Sequence, residues 1–150
     1  MLDKRKFYID GKWVSPSKPN DLEVINPSTE EAFATISLGS KEDTNSAVSA
    51  AKQALVTWSE SSKEDRINLL EKLLDIYKKR YSEMTEAISM EMGAPMDWSN
   101  DAQTSSGQSH LEDFIVRLKE FKFDEQFSPE SNNRICYEPI GVCGLITPWN

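Results

Sequence analysis

The 150 residues suffice for one ordinary domain, able to bury about 68–70% of its unfolded surface if self-contained. Twenty-five acidic against 17 basic residues leave a formal charge of −8, which repels phosphate backbones and anionic headgroups and excludes nucleic acid and membrane surfaces as expected partners. No apolar run approaches the roughly 20 residues that span a bilayer, an alternating pattern follows Lys4-Arg5-Lys6 where a signal peptide would be continuously apolar, and two cysteines are too few for a disulfide framework, so a cytoplasmic location is expected.

Phe7-Tyr8-Ile9 and Trp13-Val14 flank Asp10-Gly11-Lys12, and Asp-Gly between β-formers predicts a hairpin because such turns need positive φ. Leu22 to Ile25 reads as a second extended piece, stopped by Asn26-Pro27, and Ala32 to Leu38 as a third before Gly39. These short strands are expected to form one small sheet.

Helices follow. Ser40 precedes Lys41-Glu42-Asp43 as an N-cap with acids in the first turn, and Ala47, Val48, Ala51, Ala54, Leu55 and Trp58 recur at helical spacing, a face of mostly small residues suited to lying close to a neighbour. Ser61-Ser62-Lys63-Glu64 offers a capping box for a helix carrying Ile67, Leu70, Leu73, Leu74 and Tyr77 on one side. Tyr81, Met84, Ala87 and Ile88 predict another, ending near Gly93 with Pro95 beyond. A further stripe, Leu111, Phe114, Ile115 and Leu118, lies within Ala102 to Phe121, making three or four amphipathic helices in series.

Residues 124–133 are polar and turn-rich and read as a linker, and Arg134 to Glu138 alternates like a half-exposed strand. Val142-Cys143-Gly144-Leu145-Ile146 is apolar on both faces, as a parallel strand covered by helices would be, and it leads into Thr147-Pro148-Trp149-Asn150. Such a strand needs neighbours, so the chain reads as a fragment in which this edge is left exposed.

The pieces Tyr8 through Val14, Val24 through Thr29, the Ala-rich helix ending in Trp58, Arg66 through Leu70, Glu91 through Pro95, and Pro139 through Asn150 together resemble, in order, the N-terminal portion of the NAD(P)-dependent aldehyde dehydrogenase superfamily. The closing Pro-Trp-Asn is the most specific of them. The resemblance implies an α/β fold whose N-terminal fragment carries a small β-hairpin region, several amphipathic helices and the first strand of a parallel dinucleotide-binding sheet. It divides the chain into residues 1–123, the N-terminal part of the cofactor-binding domain; 124–139, a linker and oligomerisation-type strand; and 140–150, the truncated first strand of a Rossmann-like sheet.

The implied chemistry is oxidation of a small aldehyde to a carboxylate with NAD or NADP, NAD slightly favoured, through a thiohemiacetal and a thioester, in a protein that is a homo-oligomer when full length. Such chemistry needs a thiolate, a general base and oxyanion donors. By family position the side-chain amide of Asn150 donates to the oxyanion, and Ile146, Thr147, Pro148 and Trp149 contact the cofactor. The family's nucleophilic cysteine and glutamate base lie downstream of these positions, so the isolated chain is expected to be inactive. A non-catalytic short form acting as an association module, and a relative that acylates coenzyme A, are the alternatives.

The remaining chemically suggestive residues have plainer readings. Cys143, within an apolar run, is expected to be an inert small hydrophobe, and Cys136 a structural residue on a more exposed strand. His110 is expected on a helix surface, Glu91 at a helix end, and Lys78-Lys79-Arg80 on a solvated helix terminus; no metal is expected.

Overall fold

The expected hairpin forms at the two-residue loop Asp10-Gly11, where both residues take positive φ (52° and 71°), the conformation that matches the twist of the flanking strands. In this computed structural model, which describes residues 1–147, it joins β2 (Phe7–Ile9) to β3 (Lys12–Val14), with Ile9 opposite Lys12. It stands as its own two-stranded sheet. The other early strands form a second one, in the order β1-β5-β4. β4 (Asp21–Asn26) and β5 (Glu31–Ser37) are antiparallel, with an irregularity between Val24 and Ile25, and β1 (Leu2–Asp3) runs parallel to β5, pairing Leu2 with Ala34.

Helix α1 (Lys41–Trp58) starts in a reciprocal capping box: the Asp43 N–H donates to Ser40 Oγ (3.2 Å) and the Ser40 N–H to Asp43 Oδ2 (2.8 Å). The other oxygen of Asp43 accepts from the Ser17 N–H (2.9 Å), tying the loop after β3 to the helix start. With these backbone donors around it, led by Ser17 and then Ser40, the carboxyl is held down at about 2. The small-residue face of α1 does not find its expected neighbour. Ala47, Val48, Ala51 and Ala54 are all exposed, and among the described elements the helix packs appreciably only against β2.

Helix α2 (Lys63–Lys79) is capped by Ser62 with Asp65, one residue later than the Ser61–Glu64 box expected, because Ser61 is drawn back to the carbonyl of Trp58 (2.6 Å). Helix α3 (Tyr81–Met92) ends as expected at left-handed Gly93 (φ 71°). A Cβ there would stand 2.7 Å from Pro27 Cγ, so the absent side chain also lets the β4–β5 turn lie against the helix end. After the short turn α4 (Met96–Trp98), residues Ser99–Thr104 form a π-helical stretch that runs into α5 (Ser105–Glu120).

The widened turn frees backbone carbonyls, and two tyrosines meet them: Tyr81 Oη donates to the Asn100 carbonyl (2.6 Å) and Tyr77 Oη to that of Thr104 (2.9 Å). Gly107 leaves room for the Tyr77 hydroxyl, since a Cβ there would reach within 3.0 Å of Tyr77 Cζ. Thr104, fully buried, shares a 3.0 Å hydrogen bond with buried Thr85. α2 lies along α5, with Ile67 and Ile115 as their buried aliphatic side chains and ion pairs Lys119–Glu71 and Lys78–Glu112 at the margins.

Residues 124–133, expected as a linker, contain a strand. β6 (Asp124–Gln126) pairs antiparallel with β7 (Arg134–Cys136), Glu125 facing Ile135. The polar composition hid it, because its pairing is held by main-chain bonds and the Arg134–Asp124 ion pair (2.7 Å) rather than by apolar burial.

The mixed α/β class expected from the resemblance is what the chain adopts. The strand expected over 142–146, however, is not formed. Residues 137–147 contain no strand, Leu145 and Ile146 are 90% and 97% exposed, and no backbone–backbone hydrogen bond is made by residues 138–147 among the described residues. A strand exists only by pairing, and nothing in the described fold offers this segment an edge. Cys143, expected to be an inert small hydrophobe, has its thiol exposed and turned to the carbonyl of Gly141 (3.7 Å). In all, the chain exposes 11680 Å², against about 7,700 Å² for a self-contained globule of this mass.

Candidate functional site

The segment carrying the expected site residues leaves β7 at Tyr137. Its N–H donates to the Phe123 carbonyl (2.8 Å) and its ring lies 5.1 Å from that of Phe121, which holds the segment's start against the chain that follows α5. Beyond it Gly141 takes φ 118°, a conformation open to glycine, with nothing near enough to crowd a side chain. Ile146 and Thr147, the described members of the expected cofactor-contacting set, are both exposed. With Ile146 97% exposed, these residues would offer a dinucleotide an open contact and not an enclosed pocket. Pro148, Trp149 and Asn150, expected as cofactor contacts and oxyanion donor, lie outside the described residues.

Two open clefts flank this segment and the sheet. The first, of about 820 Å³, lies between the end of α1 and residues 137–139, with Lys52, Leu55, Lys63, Arg66, Phe123 and Tyr137 among its walls. At its base Arg66 sits with its guanidinium carbon 5.6 Å from the Phe123 ring centre and 6.0 Å from that of Trp58, donating to Ser61 Oγ (2.9 Å) and the Ser59 carbonyl (3.3 Å). The arginine thus clamps the α1–α2 turn to the chain after α5. In the sequence Arg66 stands in a stretch resembling the family, with no role of its own marked. Its contacts come from residues 5–8 positions before it and 57 after it, and only the nearby Trp58 offers a local signal. The second cleft, of about 720 Å³, opens between β5 and helices α2 and α3, with apolar walls that include Phe33, Ile36, Ile76 and Met84.

Neither cysteine is set up as a nucleophile. Cys136 donates to Asp124 Oδ1 (3.5 Å), and that bond, with burial and the carboxylate's charge, pushes the thiol pKa up. Asp124 itself is held down, chiefly by the Arg134 guanidinium. Neither thiol hydrogen-bonds a histidine or glutamate among the described residues. His110 is exposed on α5 and Glu91 exposed near the end of α3, as expected. Lys78 and Arg80, expected on a solvated terminus, engage Glu112 (2.7 Å) and Glu83 (2.8 Å). Among the described residues, no helix is long and apolar enough to cross a membrane.

Comparison with known proteins places this geometry. A 3-succinoylsemialdehyde-pyridine dehydrogenase of a Pseudomonas species is 42% identical over 151 residues, covering 100% of this chain and 31% of that protein. The crystal structure of an aldehyde dehydrogenase from Bartonella henselae superposes with a TM-score of 0.86 at 53% identity, over 88% of this chain and 28% of that one. An aldehyde dehydrogenase C from Pseudomonas syringae, solved with NAD+ and octanal, superposes with a TM-score of 0.80 at 34% identity, over 83% and 26%. The chain spans about a third of the length of the curated relatives it matches. A profile of the aldehyde dehydrogenase family matches residues 13–150, all but the first strand and part of the hairpin, and the chain belongs to that family.

Proposed function

We propose that this chain supplies the N-terminal part of an enzyme that oxidises a small aldehyde to a carboxylate with NAD(P)+, NAD favoured over NADP. The observation that carries this reading is the match to the family over residues 13–150, reinforced by the superposition on solved dehydrogenases. Relatives solved with NAD+ support the cofactor preference. A cytoplasmic, homo-oligomeric enzyme is the corresponding setting, supported by two free cysteines and by the outer edges of the β6–β7 hairpin.

In this reading a thiolate on the polypeptide beyond this chain attacks the aldehyde carbon. A C–S bond forms and the carbonyl π pair moves onto oxygen, giving a thiohemiacetal. The side-chain N–H of Asn150 donates to that oxygen as its charge grows, which stabilises the transition state more than the neutral aldehyde. When bound, NAD(P)+ would supply the hydride acceptor for that oxidation, and water would then cleave the resulting thioester to carboxylate and thiol. Ile146, Thr147, Pro148 and Trp149 provide a contact surface for the dinucleotide next to that amide. The raised pKa of Cys136, and the want of a histidine or glutamate partner at either thiol among the described residues, support assigning the nucleophile elsewhere, so the 150-residue chain alone should not reduce NAD+.

The test is Asn150→Ala in a catalytically competent polypeptide carrying this chain, followed by NADH absorbance with a series of aliphatic aldehydes. Loss of one oxyanion donor should lower kcat by roughly 10²–10³ with KM little changed. An unchanged kcat, or turnover by the 150 residues alone, would refute the assignment.

A further inference from the structure

Two cations on the first turn of α2 grip the chain that leaves α5. Lys63 and Arg66 stand three positions apart, the spacing that sets side chains next to each other on a helix. Lys63 Nζ donates to the carbonyls of Lys119 (2.9 Å) and Phe121 (3.3 Å), at the end of α5, where carbonyls lack helical partners and the dipole favours a cation. Arg66 takes hold two residues further on. Its guanidinium carbon stands 5.6 Å from the Phe123 ring centre while Nε donates to the Ser61 hydroxyl, so the ring is seated on a group that the α1–α2 turn already fixes.

What Arg66 seats is the base of the β6–β7 hairpin. Phe123 stands immediately before β6 and Tyr137 immediately after β7, and the Tyr137 N–H donates to the Phe123 carbonyl (2.8 Å) across that base. Phe121 closes the group, its ring centre 4.9 Å from that of Phe123 and 5.1 Å from that of Tyr137, both edge-to-face. From Arg66 through Phe123 to Tyr137 the contacts are continuous and are made wholly by residues of this chain.

Tyr137 is also where the run toward Asn150 begins, 13 positions ahead of that amide. An extended main chain has little stretch in it, reaching at most about 3.3–3.6 Å per residue, so where the run starts limits where its end can stand. A donor to a developing charge must be held within about 0.5 Å of its place. Resting on the oxyanion role given to Asn150 above, we propose that Arg66 is a positioning residue for that step: by seating Phe123, and through it Tyr137, it sets where the run that carries Asn150 begins. Lys63 supports it by fixing the chain just ahead of Phe123.

The test is a double-mutant cycle between Arg66→Met and Asn150→Ala in a catalytically competent polypeptide carrying this chain, with kcat and KM read from NADH absorbance well below each variant's melting temperature. With Asn150 in place, Arg66→Met should lower kcat by about 10–100-fold with KM little changed, the loss expected when a group is held about 1 Å out of place. In the Asn150→Ala background the same change should lower kcat by less than about twofold, because the amide it positions is gone. A purely structural role would give the same factor in both backgrounds. Phe123→Leu removes the ring but keeps the carbonyl that accepts from Tyr137 and the arginine's bonds to the turn; it should reproduce the pattern, and it carries the cycle if Arg66→Met does not fold. Equal factors in the two backgrounds, or a kcat unchanged by both Arg66→Met and Phe123→Leu, overturns the proposal. Asn150→Ala alone reads the oxyanion assignment: an unchanged kcat there sinks that assignment and the proposal with it, whereas equal factors sink the positioning role and leave the assignment standing.

Discussion

Replacing Gly93 by alanine should destabilise the fold much more than the same change at Gly11, although both residues sit at φ 71°. At Gly11 a Cβ meets nothing within 4 Å, so Gly11→Ala should carry only the cost of a left-handed L-residue, about 1–2 kcal/mol. At Gly93 the same cost is joined by a clash, because the new Cβ would stand 2.7 Å from Pro27 Cγ and 3.1 Å from Ser28 Oγ. The proline ring is fixed to the backbone and cannot swing aside, so the β4–β5 turn or the end of α3 must shift, at about 1–3 kcal/mol for overpacking of this kind. Gly93→Ala should therefore cost about 2–5 kcal/mol in all, and melt about 2–12 °C below Gly11→Ala in a chain of this size. Urea unfolding followed by circular dichroism at 222 nm, with matched thermal scans, reads both variants. Equal midpoints for the two would show that the Pro27 turn does not lie against the end of α3, and the account of how the sheet meets the helices would fail.

Three further outcomes follow from the same geometry. Tyr77→Phe removes the donor to the Thr104 carbonyl in the π-helical stretch, and leaving that carbonyl unmet should lower stability by about 1–3 kcal/mol in urea titrations; an effect within error would mean another group satisfies it. The Asp43 carboxyl is held at about 2 in the fold against an ordinary 3.8, so its stabilisation is complete above pH 4 and is lost as pH falls toward 2. Asp43→Asn should flatten the acid limb of the stability profile between those values, and an unchanged limb would remove the Ser17 and Ser40 contacts from the argument. Asp124→Asn removes the carboxylate that pushes the Cys136 thiol up, so alkylation of Cys136 at pH 8 should quicken relative to Cys143 in the same sample, as mass spectrometry of the two peptides would show.

What the sequence made legible is what its neighbours in the chain decide. Asp10-Gly11 closes a hairpin because two adjacent residues must take positive φ, and Ser40 caps α1 through a residue three positions on. What it hid depends on distant partners. The parallel pairing of Leu2 with Ala34 joins residues 32 positions apart through main-chain bonds that leave no pattern in two residues. The π-helical stretch survives because hydroxyls from α2 and α3 reach its carbonyls, a fact written in Tyr77 and Tyr81 and not in Ser99–Thr104.

The most instructive discrepancy is the apolar run at 142–146. Its composition is that of a buried parallel strand, and the resemblance of Pro139 through Asn150 to the family agrees, yet the described fold gives it neither a partner strand nor cover. Hydrophobic pattern records the environment a segment is selected to occupy, and pairing records the environment it has. The expected oxyanion donor, Asn150, stands four positions beyond Ile146 in the chain. Under the proposed function, its usefulness to catalysis depends on residues 142–146 being held in place, since an amide can stabilise a developing charge only when the backbone carrying it is fixed before the charge appears.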